Sequence, residues 1–357
     1  MTALRVASPT GGDLVLQPAR STLDPRHLAV PSHQNGAVTG RFAPSPTGDL
    51  HVGNLRTGLA AMLIARSSGR GFVIRVEDLD PVAASREHER DQIDDLAAIG
   101  VVSDAVPIRQ SERRERHLEI VAELRDRDLL YPCYCTRREI REEIEAAASA
   151  PNDPAPPDAY PGICRELTRS QRSAHERDGR RPAWRLRAGG ELVSFLDRVA
   201  GERSGVVDDF VVVRADGVPA YQLAVVVDDA DTGIDQVARG DDLIPSTWRQ
   251  IRLQQVLGLG TPEYWHLPLV VAGDGRRLAK RDGAISLRQV VASGVPVERV
   301  LEALLASLCS PWLEPVGGDP SEPGWAMEQA GRFDASTLVA DPVVIEDLRA
   351  LWGDGTA

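Results

Sequence analysis

The stretch Arg41-Phe-Ala-Pro-Ser-Pro-Thr-Gly-Asp-Leu-His-Val-Gly-Asn54 decides how this chain is read. It starts on residues suited to a buried strand, passes through a Pro/Gly-rich turn and opens a helix at about Val52. A histidine and a glycine at a strand-to-helix joint suit phosphate. The first N–H groups of a helix have no internal partner, and the helix dipole favours negative charge there. Glycine lets the backbone come close, and an imidazole can donate to a phosphate oxygen.

Outward from this joint the pattern alternates. Residues 40–43 read as the first strand. Residues 52–66 are periodic, with Leu55, Leu59, Met62 and Leu63 on one face, and read as a helix. Residues 71–77 give a second strand and 84–99 a second helix. A βαβ alternation predicts a parallel sheet, with ligands beyond the carboxyl ends of its strands. The 45–51 turn and the acidic group after Val76 both fall at such ends. The expected fold class is therefore α/β, a Rossmann-type doubly wound parallel sheet.

From Tyr131 to about Arg187 the pattern changes to cysteines, a Pro-rich loop at 151–157 and arginine-rich helices. This reads as an insertion that splits the sheet domain. Sheet-like sequence resumes at 210–214 and 221–227, and 267–271 reads as a buried strand. Helices are expected at 286–293, 296–308 and 342–352. The resulting division is a mobile arm at 1–38, a first half at 39–130 and an inserted subdomain at 131–189. A second half at 190–270, a loop with short C-terminal helices at 271–310 and a tail at 311–357 complete it.

The 357 residues and 42% hydrophobic content support ordinary cores. No apolar run reaches the roughly 18 residues that span a bilayer. The N-terminus lacks a signal-peptide pattern. A cytoplasmic protein without membrane partners is expected, and its four cysteines then point to metal or free thiols. The net charge of -12 argues against a generally basic nucleic-acid binder. Between Arg165 and Arg187, however, eight arginines face three acids. That run is either a nucleic-acid contact or a solvated helical face.

Two cysteine groups, Cys133-Tyr-Cys135 and Tyr160-Pro-Gly-Ile-Cys164, could supply three thiolates and a phenolate to a four-coordinate zinc. The alternative is inert buried thiols. Cys309, alone at an apolar helix end, reads as core.

A second string, Arg276-Arg-Leu-Ala-Lys-Arg-Asp-Gly283, contains Lys280, the only lysine among the 41 basic residues. A compact ammonium on a flexible stem can follow moving phosphates. Together, His51-Val-Gly-Asn54 and this string resemble the two signatures of class I aminoacyl-tRNA synthetases, called HIGH and KMSKS. The preceding Arg-Phe-Ala-Pro-Ser-Pro-Thr-Gly resembles the glutamyl branch of that class. Asn54, Arg277 and Ala279 depart from its consensus, and Ala279 removes a hydroxyl donor.

The resemblance implies His51 and Lys280 as catalytic residues. It implies that ATP is bound by His51, Gly53, Asn54 and Lys280, with Mg2+ accompanying the nucleotide. It implies a glutamate pocket made of Arg41, Phe42, Ala43, Pro44, Ser45, Glu77, Tyr221 and Arg239. The chemistry agrees, since glutamate carries two carboxylates and an ammonium. Guanidinium groups pair carboxylates bidentately, an acid accepts from the ammonium, and a phenol donates to a carboxylate. Read without the resemblance, Glu77 could simply pair with Arg75, and Tyr221 could be a core tyrosine. The resemblance also implies one structural zinc on Cys133, Cys135, Tyr160 and Cys164.

Only 74 residues come after Gly283, room for short helices rather than an anticodon-binding domain. The shortened form, and the Glu77-Asp-Leu-Asp-Pro81 string, resemble the glutamyl-Q tRNA(Asp) synthetase branch. This resemblance implies glutamate activation without tRNA, then transfer to queuosine in the anticodon of tRNA(Asp), by a monomer. A divergent glutamyl-tRNA synthetase that charges the tRNA 3′ end, and a catalytically silent synthetase-like regulator, are the alternatives.

Overall fold

The structure is a computed structural model that describes residues 39–148, 159–276, 285–309, 320, 323–346 and 350. The expected arm at 1–38, the Pro-rich loop at 151–157, Lys280 and much of the tail lie outside the described residues.

The chain opens with β1 (Thr39–Phe42), α1 (Val52–Ser67), β2 (Gly71–Val76), α2 (Arg86–Ala98) and β3 (Ile108–Arg109). It continues through α3 (Arg114–Asp126), β4 (Leu130–Cys133), α4 (Arg137–Ala148), α5 (Arg169–Arg177) and β5 (Ala183–Leu186). Next come β6 (Leu192–Asp197), β7 (Gly201–Val206), β8 (Val211–Val213), α6 (Tyr221–Asp231) and β9 (Ile234–Gly240). The last elements are α7 (Ile244–Leu257), β10 (Glu263–Leu267), β11 (Val270–Val271), α8 (Leu287–Ala292), α9 (Val297–Ala306), α10 (Pro323–Arg332) and β12 (Val343–Val344).

Seven strands form the main sheet in the order β3-β2-β1-β9-β10-β6-β7. All neighbours are parallel except the β6–β7 hairpin. The chain leaves β1 toward β2 and β3, then returns on the other side of β1 as β9 and β10. Strand order therefore reverses between β1 and β9, where a doubly wound sheet opens a crevice for its ligand. This is the expected α/β architecture.

Every residue of β1 is buried, as in a central strand covered on both faces. Helix α1 lies so close to it that a side-chain carbon at Gly40 would come 2.7 Å from the Ala65 Cβ. The α1 face read from sequence, Leu55, Leu59, Met62 and Leu63, is fully buried. A charged residue is buried with it. Arg56 donates to the Pro268 carbonyl at 2.9 Å and to the Ser307 hydroxyl and carbonyl at 3.0 and 2.9 Å. These bonds tie α1 to the segments before β11 and after α9, and burial lowers the Arg56 pKa to about 10.

Strands β4, β5 and β8 form a separate antiparallel sheet, and α4 and α5 lie between β4 and β5 in the chain. The 210–214 segment thus contributes β8 to this smaller sheet. The reading of 221–227 as strand is corrected: it is the first part of α6. Residues Leu223 to Asp229 are all buried, because the helix packs against α7, β8 and β9. Burial on all sides removes the 3.6-residue period, and three consecutive valines then mimic a strand. Within 342–352, read as helix, Val343 and Val344 form β12 and pair in parallel with β11. Among the described residues, no helix is long and apolar enough to cross a membrane.

Candidate active site

The crevice between β1 and β9 holds a cavity of about 530 Å³. It is lined by Arg41, Phe42, Ala43, Pro44, Ser45, His51, Gly53, Asn54, Glu77, Tyr221 and Arg239. The structure therefore brings together, in one cavity, every described residue that the sequence assigned to glutamate or ATP. Lys280 lies outside the described residues, between a stretch that lines the cavity and one that meets the start of α1. Leu269 and Val270 line the cavity on one side. On the other, the Val52 N–H donates to the Ile285 carbonyl at 3.0 Å, and Ser286 bridges His51.

His51 is the N-cap of α1. Its Nδ1 accepts from the backbone N–H of Gly53 at 3.1 Å and of Asn54 at 3.3 Å. The Asn54 side chain closes a capping box by accepting from the His51 N–H at 3.3 Å. Two of the helix-start donors expected to meet phosphate are thus taken by the histidine. With Nδ1 accepting, the neutral ring carries its proton on Nε2. The imidazole that takes those two amides itself lines the cavity.

The loop from Ser45 to Gly48 is held from behind. Gln92, buried on α2, donates to the Ser45 carbonyl at 2.9 Å and the Gly48 carbonyl at 2.6 Å. The Glu77 N–H donates to the Pro44 carbonyl at 2.9 Å, joining the ends of β1 and β2.

Two buried networks orient the charged groups. In the first, Arg41 donates Nε and Nη2 to the two oxygens of Asp229, both at 3.3 Å, leaving Nη1 for the cavity. Arg75 bridges Asp229 and Glu77, reaching Glu77 at 3.2 Å. Burial opposes ionisation of Asp229, but Arg41 and Arg75 outweigh it and hold its carboxyl below the ordinary range. Burial pushes the Glu77 carboxyl up, against the pull of Arg75 and Arg41. The second network positions Arg239. Its Nε donates to His266 Nε2 at 3.1 Å, its Nη2 to the Thr247 hydroxyl at 2.7 Å and its Nη1 to the Tyr221 oxygen at 3.4 Å. His266 Nδ1 in turn meets Asp197 at 2.6 Å. Burial pushes the His266 imidazole down, the nearby Arg239 charge acts the same way, and Asp197 opposes both.

Two fixed guanidinium groups, the Glu77 carboxyl, a phenol and an imidazole thus share a single crevice, with Asp49 and Asp242 also in its wall. They suit a ligand with two carboxylates, an ammonium and a phosphate. A profile of tRNA synthetases class I (E and Q), catalytic domain, matches residues 37–311.

The chain belongs to this family.

It is 48% identical over 308 residues to the glutamyl-Q tRNA(Asp) synthetase of Nocardia farcinica, covering 86% of this chain and 93% of that one. It is 37% identical to the glutamate--tRNA ligase of Aquifex aeolicus, over 89% of this chain and 66% of that one. Among solved structures, a glutamate tRNA ligase from Elizabethkingia meningosepticum in complex with its amino acid matches with a TM-score of 0.70 and 26% identity. That match covers 88% of this chain and 68% of the other. As a class I tRNA synthetase, the protein is a ligase whose partners are ATP, an amino acid and tRNA.

A cluster of thiols lies at the end of β4 in this synthetase. The sulfurs of Cys133, Cys135 and Cys164 lie within 4.8 Å of one another. The Tyr160 oxygen is 3.3 Å from Cys133 Sγ and 3.8 Å from Cys135 Sγ. Zinc–thiolate bonds of about 2.3 Å in a tetrahedron put sulfurs about 3.8 Å apart, so this donor set fits a four-coordinate metal. Hydrogen bonds with Cys135 and Cys164 pull the Cys133 thiol far down, and the same contacts push Cys135 up. Cys309 is buried away from this group, as expected of a core residue.

Sequence reading missed the residues behind the synthetase's cavity. Asp229 sits on the helix misread as strand. Asp197, Thr247 and His266 come from β6, α7 and β10, and no local spacing links them. A signal for Asp229 did exist: Asp228-Asp229 is an acidic pair directly at the end of an apolar run, where a charge drawn into the core is costly unless paired.

Proposed function

We propose that the protein activates L-glutamate with ATP, without tRNA, and then transfers the glutamyl group to queuosine in the anticodon of tRNA(Asp), acting as a cytoplasmic monomer. The observation that carries this reading is the convergence of Arg41, Arg239 and Glu77 in one cavity beside the His51 helix start. The higher identity to a glutamyl-Q tRNA(Asp) synthetase than to a glutamate--tRNA ligase supports the choice of acceptor.

In the first step an oxygen of the glutamate α-carboxylate attacks the α-phosphorus of ATP. The bond from that phosphorus to the bridging oxygen breaks, and pyrophosphate leaves with the electron pair. The protein contributes alignment and charge neutralisation. Arg41 Nη1 and the fixed Arg239 fork are the cations for the two glutamate carboxylates. Glu77 accepts from the ammonium. The His51 Nε2–H donates to a phosphate oxygen, Gly53 and Asn54 shape the turn around the nucleotide, and Lys280 tracks the departing pyrophosphate. Mg2+ bound with the ATP would add neutralisation of phosphate charge. In the second step a hydroxyl oxygen of the modified base attacks the acyl carbon, the bond from that carbon to the phosphate oxygen breaks, AMP leaves with the electron pair, and the hydroxyl proton passes to solvent.

One zinc on Cys133, Cys135, Cys164 and Tyr160 would clip together an insertion with a small core of its own.

The test is transfer of labelled glutamate to tRNA(Asp) with and without queuosine. Label should attach only to the modified tRNA and survive removal of the 3′ terminal nucleotide. Equal labelling of unmodified tRNA would contradict the reading.

A further inference from the structure

Among the described residues, Arg185 sits beside the thiol cluster without a carboxylate partner. It lies on β5, opposite Tyr131 of β4, two residues along from the pairing of Ala183 with Cys133. The side chain is buried, and its guanidinium carbon lies 3.6 Å from the centre of the Tyr160 ring. Nη1 donates to the Asp209 backbone carbonyl at 2.8 Å, which fixes the group in place. Its Nε is a buried donor without a hydrogen-bond partner. Among the described residues no carboxylate reaches it. The Asp209 side chain is engaged by Tyr131, the Ala188 N–H and Arg165.

A buried cation without a buried anion is costly and seldom retained. The missing anion is supplied if the cluster is loaded. Three thiolates around a divalent ion leave roughly one negative charge, and a phenolate adds another. A guanidinium stacked on the ring of the oxygen donor is well placed to offset that charge, since a cation is attracted to an aromatic face.

We propose that Arg185 is the counter-ion of the metal centre, holding Tyr160 in its donor position and stabilising the net negative charge of the loaded site. This rests on the zinc reading above.

The experiment uses the full chain and zinc itself. Zinc content of the wild-type protein is measured first, and zinc affinity is then read by competition with a chelating dye at fixed pH. Arg185→Met keeps the length without the charge, and Arg185→Lys keeps the charge without the flat stack. Wild type should hold about one zinc per chain, as a single tetrahedral site requires. Arg185→Met should bind it about 10–100-fold more weakly, the usual effect of removing a group that orients or balances a ligand. Arg185→Lys should recover most of the loss. If Arg185→Met does not fold, Arg185→Gln takes its place with the same expectation. Wild-type affinity in the neutral variant would overturn the proposal, and so would a lysine variant as weak as the neutral one. A zinc-free wild type would end the zinc reading itself, before any variant is compared.

Discussion

Asp229 holds the guanidinium of Arg41 through both carboxylate oxygens, each at 3.3 Å, from a helix 188 residues further along the chain. The same carboxylate engages Arg75, so one buried acid faces two buried cations. Removing it leaves Arg41 without its carboxylate and Arg75 with Glu77 alone. Asp229→Ala should lower unfolding stability by about 3–5 kcal/mol, the typical effect of breaking a buried pair from one side. Urea denaturation checks this; a loss below about 1 kcal/mol, the scale of an exposed pair, would mean that the network is not buried in solution.

Tyr221 contributes one hydroxyl to the Arg239 cluster, at 3.4 Å from Nη1. Tyr221→Phe removes only that oxygen. A hydrogen bond to a charged group is worth about 1.5–3 kcal/mol. The KM for glutamate in ATP–pyrophosphate exchange should therefore rise roughly 10–100-fold, while the KM for ATP changes little. An equal rise for both substrates would move Tyr221 out of the amino-acid pocket.

His266 makes stability depend on pH in a definite direction. Its pKa in the fold lies below the ordinary 6.5 because of burial. In the unfolded chain the ring takes up its proton near the ordinary value. Between these two pKa values the unfolded state holds more protons, so stability rises with pH and is lost on acidification below about 6.5. Protonation would also place a donor on Nε2, against the Arg239 Nε–H. Thermal melts between about pH 7.5 and 5.5 should fall more steeply for wild type than for His266→Gln. Parallel slopes would assign the acid sensitivity to another group.

Gly53 lies under the histidine that caps its own helix. A side-chain carbon there would sit 3.0 Å from both Nδ1 and Cε1 of His51. Gly53→Ala should therefore push the ring off its cap and misplace Nε2 relative to phosphate. The exchange kcat should drop about 10–100-fold, as misalignment of a positioning group does. Stability should change by no more than the roughly 0.5–2 kcal/mol of a lost cap. An unchanged kcat would show that the His51 ring position is not used in the reaction.

The parts of this protein legible in sequence are those set by local rules. The β1–α1–β2 unit announced itself through a buried strand, a Pro/Gly turn and a 3.6-residue period. Arg41 and Glu77 were legible because they sit at the ends of those strands, whereas Tyr221 and Arg239 were named through the resemblance to the glutamyl branch. Helix α6 was not, because burial around its whole circumference erased the period that marks a helix. The capping role of His51 was equally hidden. A histidine before a helix reads as a ligand group, and only the fold places Nδ1 on the Gly53 and Asn54 amides. The two charge networks, one joining Arg41, Asp229, Arg75 and Glu77 and the other Arg239, His266 and Asp197, are built from strands and helices distant in sequence, and only the tertiary fold reveals them.

Formation of glutamyl-adenylate in the crevice between β1 and β9 underlies the proposed activity, and a crystal structure with a non-hydrolysable glutamyl-adenylate analogue is its decisive test. The glutamyl end should lie between Arg41, Arg239 and Glu77, with the phosphate within hydrogen-bond reach of His51 Nε2. An analogue bound elsewhere, or seated in the crevice with its carboxylates away from both arginines, would contradict the proposal.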